Sequence, residues 1–220
     1  MPLSSIQSRV HSAACAAQRS PNSVRLIAVS KVQPLERIRD VLSQGHRVFG
    51  ENRVQEAESK WPAFRDEFGA IELHLVGPLQ SNKVNKALDL FDVIHSVDRD
   101  SLAKKLATAV QARGRCPDLF VQVNTGNEQQ KAGVLPEQLD SLITACRSAY
   151  DLPISGLMCI PPVGEDAKGH FLRLAEFASR HGLVKLSMGM SGDFETAIAC
   201  GATHIRVGSA IFGERIAPTN

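Results

Sequence analysis

Short apolar runs alternate along the chain with stretches in which apolar residues recur at three- and four-residue spacing. The runs have strand length and are nearly continuous, the pattern of parallel strands buried on both faces. The first is Val24–Lys31, VRLIAVSK, which ends in a lysine. VQPLERIRD follows, with Pro34 able to stand at the first helical position and Leu35, Ile38, Val41 and Leu42 at helical spacing. Further strands are expected at Arg47–Asn52, Ile71–Gly77, Asp92–Val97, Asp118–Asn124, Ile154–Ile160, Val184–Gly189 and Thr203–Gly208, each followed by a helical stretch. The helix after Arg47–Asn52 is expected to stop at Pro62, and Asp98 or Asp100 is placed to cap the one beginning near Ser101. After Asn124 comes a longer polar loop, with a helix opening at Pro136, and another helix is expected over Ala167–Arg180. About eight strand–helix alternations, with no linker or repeat, predict an α/β fold: one (β/α)8 TIM barrel over residues 1–220. A helix over Leu3–Gln18 precedes the first strand. Barely a turn or two of helix, SAIFGER, follows the last strand, so the N-terminal helix is expected to cover that part of the barrel.

Composition narrows the partners. A net charge of +2 and few aromatic residues, none interleaved with basic clusters, give no case for nucleic acid. The five cysteines are scattered, without C-x-x-C or zinc-ligand spacing, which suits reduced thiols in the cytoplasm. The N-terminus lacks a basic start followed by an apolar core, and no run approaches a membrane span. A cytoplasmic protein without membrane or nucleic-acid partners is expected.

The chemistry gathers at the carboxyl ends of the strands, where sites form in barrels. Lys31 falls at the end of the first strand, on the same face as Ile27 and Val29 by period-two counting. A lysine so placed is suited to attack a carbonyl; the plainer alternative is a solvated lysine ending a strand. The seventh strand runs into SMGMSGDFETAI, residues 187–198, where Gly189 and Gly192 permit close backbone approach and Ser191 or Asp193 can open a helix. The eighth runs into RVGSAIFG, residues 206–213, again glycine and serine before a short helix. Barrel phosphate sites recur in these two loops, although such glycines also serve in tight turns and caps. An amine facing a phosphate cradle defines a ligand with a carbonyl and a phosphate. Pyridoxal 5'-phosphate (PLP) fits, and so does a sugar phosphate.

The chain resembles the YggS/PROSC family of pyridoxal phosphate homeostasis proteins, whose fold is like the barrel domain of alanine racemase. AVSK at 28–31, FGENRVQE at 49–56, HLVGPLQSNK at 74–83, KAG at 131–133, GLM at 156–158, SMGMSGD at 187–193 and RVGSAIFG at 206–213 carry the resemblance, from about Leu26 to Arg215. It implies that Lys31 forms the internal aldimine with PLP. It implies that Ser191, Arg206, Gly208 and Ser209 hold the cofactor's phosphate and ring, and that Asn52, His74, Met158, Ser187 and Met188 line the pocket. One departure is Arg53, which follows GEN where the family usually has an aromatic, and which would make the pocket edge more polar.

PLP in a barrel also raises the alternative of a low-activity amino-acid racemase. Racemisation needs a second acid/base opposite the lysine. In alanine racemase this is a tyrosine from another domain, whereas the one tyrosine here, Tyr150, is expected on the amino-terminal face of the barrel. His74, read as ending a strand on the lysine's rim, is the best candidate for the second group. Arg206, facing the barrel mouth by strand parity, would leave the pyridine nitrogen unprotonated and weaken the electron sink; its alternative use is an ion pair within the barrel. The favoured reading is a non-catalytic PLP-binding protein that buffers or delivers the cofactor, with apo PLP-dependent enzymes as recipients. A monomer is expected, a dimer left open; a sugar-phosphate enzyme using Lys31 is the third reading.

Overall fold

The computed structural model describes residues 2–214; the expected match to the family at Arg215 lies outside them. Eight parallel strands close into a barrel in sequence order, the last pairing with the first. They are β1 (Arg25–Val29), β2 (Val48–Glu51), β3 (Glu72–Leu75), β4 (Val93–Val97), β5 (Asp118–Val123), β6 (Ile154–Cys159), β7 (Lys185–Ser187) and β8 (His204–Val207). All eight expected strands are present, each shorter than its apolar run. Residues flanking a strand are apolar because they pack under the loops, so hydropathy overreads the ladder. For this reason Lys31 stands two residues beyond β1, in a turn.

The helices are α1 (Pro2–Ala16), α2 (Leu35–Ser43), α3 (Val54–Phe68), α4 (Val84–Leu90), α5 (Asp100–Arg113), α6 (Leu139–Thr144), α7 (Ala167–Arg180), α8 (Phe194–Ala199) and α9 (Ser209–Phe212). The expected stop at Pro62 does not occur, and α3 runs through it to Phe68. Proline removes one backbone donor, but Trp61 and Phe64 are buried on the inner face of that turn. Trp61 packs on Phe49 and Phe64 at ring separations of 4.8 and 5.7 Å. Tertiary burial outweighs the local cost. Neither aspartate caps α5 as expected. Arg99 is its N-cap residue, Asp98 pairs with Arg99, and Asp100 accepts the Tyr150 hydroxyl at 2.7 Å. The polar loop after β5 leads into a single 3-10 turn at Pro136–Gln138 before α6.

The N-terminal helix covers the thin part of the shell. Leu3, Ile6, Val10 and Ala14, at helical spacing, are buried where α1 packs on α8 and α9. Arg9 adds a hydrogen bond to Glu195 at 2.7 Å and lies over the Phe194 ring.

The two faces of the strands differ. Outward side chains such as Leu26, Ala28, Phe49, Leu73, Ile94, Leu119 and Leu157 join one large core with the helices. Inward side chains form two small apolar clusters, Ile27–Val29–Val76 and Val93–Phe120–Met158. Between these lie buried polar groups: His74, His95, Ser187 and Arg206. Branched aliphatics dominate most barrel interiors; this lumen sets buried polar groups between its apolar clusters.

Candidate functional site

A cavity of about 300 Å³ opens at the carboxyl ends of the strands. Lys31, Asn52, Ser191, Arg206, Gly208 and Ser209 line it, with Val29, Gln33, Val76, Ile160, Met190, Gly192 and Gly213 completing the wall. This volume is at the small end of the range for ligand sites.

The turn that presents Lys31 is fastened on both sides. The Ser30 amide donates to the Gly50 carbonyl at 3.0 Å, and its hydroxyl donates to Glu51 Oε1 at 2.8 Å. On the other side, the Val32 amide donates to Glu56 Oε1 at 2.5 Å. Val32 has φ of +52°, a conformation that a β-branched residue adopts only when its surroundings impose it. Lys60 ties these groups together, donating to the Ser30 carbonyl at 3.2 Å, to Glu51 at 3.5 Å and to Glu56 at 2.5 Å. Glu51 is fully buried and also accepts from the Trp61 indole at 3.2 Å. Burial pushes its carboxyl up to about 7, against the lowering influence of Lys60. Glu51, Glu56 and Lys60 thus explain why a motif ending at Glu56 accompanies a lysine far earlier in the chain.

The opposite wall comes from the loops after β7 and β8. The Ser191 hydroxyl oxygen accepts the Gly208 amide at 3.3 Å and the Ser209 hydroxyl at 3.4 Å, both long contacts. Three donors therefore converge where the two loops meet, a group suited to an anion's oxygens. Asp193 stands at the N-cap of α8, but its carboxylate accepts the Met190 amide at 2.6 Å. Gly189, at φ +91°, makes the turn into α8 so closely that a Cβ would lie 2.5 Å from that of Ala197.

Arg206 forms the floor. Its guanidinium is nearly buried and donates to Ser187 Oγ at 2.7 Å and to the Cys159 carbonyl at 2.8 Å. The ion pair weighed for it is not what holds it: both bonds go to neutral oxygens.

Four residues expected to line the pocket do not line this cavity. Ser187 lies beneath Arg206, fully buried. Met158 packs with Val93 and Phe120 in the lumen, and Met188, one residue on from inward Ser187, points out into the shell core. His74 is not on the rim: it sits within β3 and is fully buried, with Nδ1 2.8 Å from His95 and Nε2 2.7 Å from Glu72. Arg53 is exposed ahead of α3 and is not among the lining residues. His95, which sequence reasoning passed over as strand interior, lies between His74 and Ser187, with Nδ1 2.9 Å from the serine hydroxyl. The available signal was a histidine in each of β3, β4 and β8, inside runs otherwise dominated by apolar residues.

Fold and site together define a barrel protein with a lysine at the end of the first strand and an anion cradle across the mouth. Residues 4–216 match the family model for the alanine racemase N-terminal domain. The chain is 39% identical over 96% of its length to the pyridoxal phosphate homeostasis protein of Vibrio cholerae, covering 93% of that protein. It is 40% identical over 97% of its length to the protein of the same name from Pseudomonas aeruginosa, covering 94% of it. Among solved structures, PipY of Synechococcus elongatus with PLP bound is 41% identical, with a TM-score of 0.80 over 94% of this chain and 100% of that one. The chain belongs to the pyridoxal phosphate homeostasis family within the alanine racemase N-terminal domain fold.

Proposed function

We propose that this protein binds PLP in the cavity, holds it covalently on Lys31 and passes it to PLP-dependent enzymes without catalysing amino-acid chemistry itself. The observation that carries the reading is that Lys31, the Ser191–Gly208–Ser209 donors and Arg206 line one cavity. When bound, the cofactor supplies an aldehyde, which condenses with a primary amine as water leaves. The chain's own residues do the rest. Lys31 supplies the amine, from a turn fixed by Glu51, Glu56 and Lys60. Ser191, Gly208 and Ser209 supply donors to the phosphate. Arg206 would face the ring nitrogen, where a fixed cation would keep that nitrogen unprotonated and the ring a poor electron sink.

The carrier reading is favoured over a racemase by what lines the cavity. Among the described lining residues, Lys31 is the one side chain suited to move a proton near neutral pH; the others are apolar, amide, hydroxyl or guanidinium groups. His74 has both ring nitrogens engaged in the lumen, and the Tyr150 hydroxyl is engaged by Asp100. Cysteine does not intervene either, since Cys159 is buried and its thiol is pushed up to about 12 by burial. Among the described residues no helix is long and apolar enough to cross a membrane.

The test is loading with PLP followed by incubation with an apo-enzyme and, separately, with L-amino acids. Cofactor transfer without racemisation or decarboxylation above trace is expected, together with loss of the protein-bound absorbance in Lys31→Ala. Sustained turnover of an amino acid would contradict the carrier reading. Full absorbance in Lys31→Ala would remove Lys31 from the assignment.

A further inference from the structure

The lumen beneath the cavity holds a continuous row of buried polar groups for which binding at the mouth gives no account. From Arg206 Nη1 to Ser187 Oγ is 2.7 Å, from Ser187 Oγ to His95 Nδ1 2.9 Å, from His95 Nε2 to His74 Nδ1 2.8 Å, and from His74 Nε2 to Glu72 Oε1 2.7 Å. Glu72 opens β3 at the opposite end of the barrel and pairs there with Arg25, which opens β1. The row therefore passes through the barrel from the floor of the cavity to its amino-terminal mouth.

The chemistry of the two ends fixes the direction of every bond between them. Arginine carries donors and no acceptor, so the Ser187 oxygen accepts from Arg206 and its own proton is available to His95 Nδ1. An imidazole that accepts at Nδ1 and remains neutral carries its proton on Nε2, and so donates to His74 Nδ1. His74 in turn carries its proton on Nε2 and donates to the Glu72 carboxylate, which has no donor of its own when ionised. The opposite direction requires a second proton on His74, or two acceptors facing each other at 2.7 Å. It also takes from the Ser187 proton its acceptor in a buried site, a loss that costs free energy.

The surroundings of His95 favour the neutral ring. It stacks on Phe120 at 4.5 Å between ring centres, 7° from parallel. The charged or titratable groups around it are His74 from β3 and His204 and Arg206 from β8, with no carboxylate in contact. Burial, above all, holds His95 well below the ordinary imidazole range, and the Arg206 cation acts in the same direction. Burial likewise brings His204 down to about 3. At the far end, burial alone would raise Glu72, but hydrogen bonds from His74 and Arg25 bring it down to about 2, so the terminal acceptor is ionised.

We propose that Arg206, Ser187, His95, His74 and Glu72 form a one-way hydrogen-bond chain of neutral Nε2–H histidines, which makes His95 and His74 positioning residues for the guanidinium at the floor of the cavity. The Ser187 hydroxyl can turn about its Cβ–Oγ bond, and His95 fixes its proton so that its lone pair is held toward Arg206. Ser187 and the Cys159 carbonyl then hold the plane of the guanidinium, which lines the floor of the cavity. The effect on ligand rests on the PLP reading above; the existence and direction of the chain do not.

Two measurements separate these. Long-range nitrogen–proton correlation spectra of the ligand-free protein near neutral pH read the histidine tautomers directly. The expected result is Nε2–H on both His95 and His74; an Nδ1–H tautomer at His95, or a doubly protonated His74, overturns the proposal whatever the ligand is. The second measurement is PLP affinity and the position of the protein-bound visible band in His95→Gln, His95→Phe and Ser187→Ala. Glutamine offers one acceptor and one donor and should hold affinity within about twofold with the band unmoved. Phenylalanine keeps the stack on Phe120 but not the bonds, and with Ser187→Ala should weaken binding by about three- to tenfold and shift the band, the range of one lost hydrogen bond. Should the phenylalanine variant fail to fold, Ser187→Ala and the tautomer spectra still decide. Equal impairment in glutamine and phenylalanine variants, or no effect of Ser187→Ala, overturns the positioning. Failure of the wild-type protein to bind PLP would instead refute the function proposed above and leave the tautomer result standing.

Discussion

The Lys31 wall and the Arg206 floor of the cavity are both held by buried polar groups, but by groups of opposite acid–base character. Beneath Lys31 lies an acidic cluster, Glu51 and Glu56 bridged by Lys60, in which burial raises the Glu51 carboxyl to about 7. Beneath Arg206 lies the row of imidazoles, with His95 driven well below its ordinary range. Each follows from what it has to hold. The turn bent to positive φ at Val32 is held by carboxylates: Glu56 accepts the Val32 amide and Glu51 the Ser30 hydroxyl. A guanidinium that must stay charged in a nearly closed lumen needs neutral acceptors that add no competing cation. The outer core stabilises the barrel without regard to either demand, which leaves the lumen free to be polar.

Breaking the acidic wall should have the largest effect. Lys60→Ala leaves two carboxyl groups facing each other with their cation gone, one of them fully buried. Loss of one partner from such a cluster costs about 3 kcal/mol, measured as a lower midpoint in urea. Adding Glu51→Gln to that variant should recover part of the loss, because an amide needs no counter-charge. If Lys60→Ala is as stable as wild type, the cluster does not fasten the Lys31 turn.

The opposite acid–base characters predict opposite pH responses. Glu51, with its pKa raised from 4.5 to about 7, binds a proton in the folded protein that the unfolded chain releases, so its contribution to stability falls as pH rises through that window. His95 and His204, both lowered, refuse protons that the unfolded chain takes up below its ordinary imidazole pKa, so their contribution falls as pH drops below about 6.5. Each group changes stability by roughly 1 kcal/mol per pH unit within its window. Relative to wild type, Glu51→Gln should gain stability as pH rises from 4.5 to 7. His95→Gln should instead flatten the acid loss. Denaturant midpoints across that range check both signs; parallel curves for the two variants would mean that the Lys31 wall and the Arg206 floor do not differ in acid–base character.

The smallest effect expected is at the phosphate donors. Ser191→Asp places a negative charge where three donors meet and should weaken PLP binding about tenfold, or ~1.4 kcal/mol. Pyridoxal, which lacks the phosphate, should be much less affected. Equal losses for both ligands would move the phosphate away from these loops.

Much of the barrel was legible because parallel strands buried on both sides leave continuous apolar runs, and all eight were found in place. Their ends were not, since Val76 and Ile160 flank strands yet are as apolar as strand residues, and Lys31 consequently lies farther out than hydropathy placed it. Pro62 misled because local helix preference says nothing about the aromatic packing of Trp61. In the site, Lys31 and the Ser191, Gly208 and Ser209 loops were readable from local signals of strand end, glycine and serine. Ser187, Met158 and Met188 were named from the family resemblance alone; Ser187 lies beneath Arg206, Met158 in the lumen and Met188 in the shell core, positions set by packing that no local pattern records. His95 was invisible for another reason. Its significance comes from His74 on one neighbouring strand and from Ser187, distant in sequence, across the lumen, and no local pattern records that meeting.

Under the proposed function, the acidic wall presents the covalent amine and the Arg206 floor a non-covalent contact. Borohydride reduction of the PLP-loaded wild-type protein, followed by peptide mass mapping, reads this directly. A pyridoxyl group is expected on the peptide containing Lys31. A pyridoxyl group found instead on Lys131, whose amine donates to the Pro161 carbonyl at 3.2 Å in the loop after β5, would contradict it.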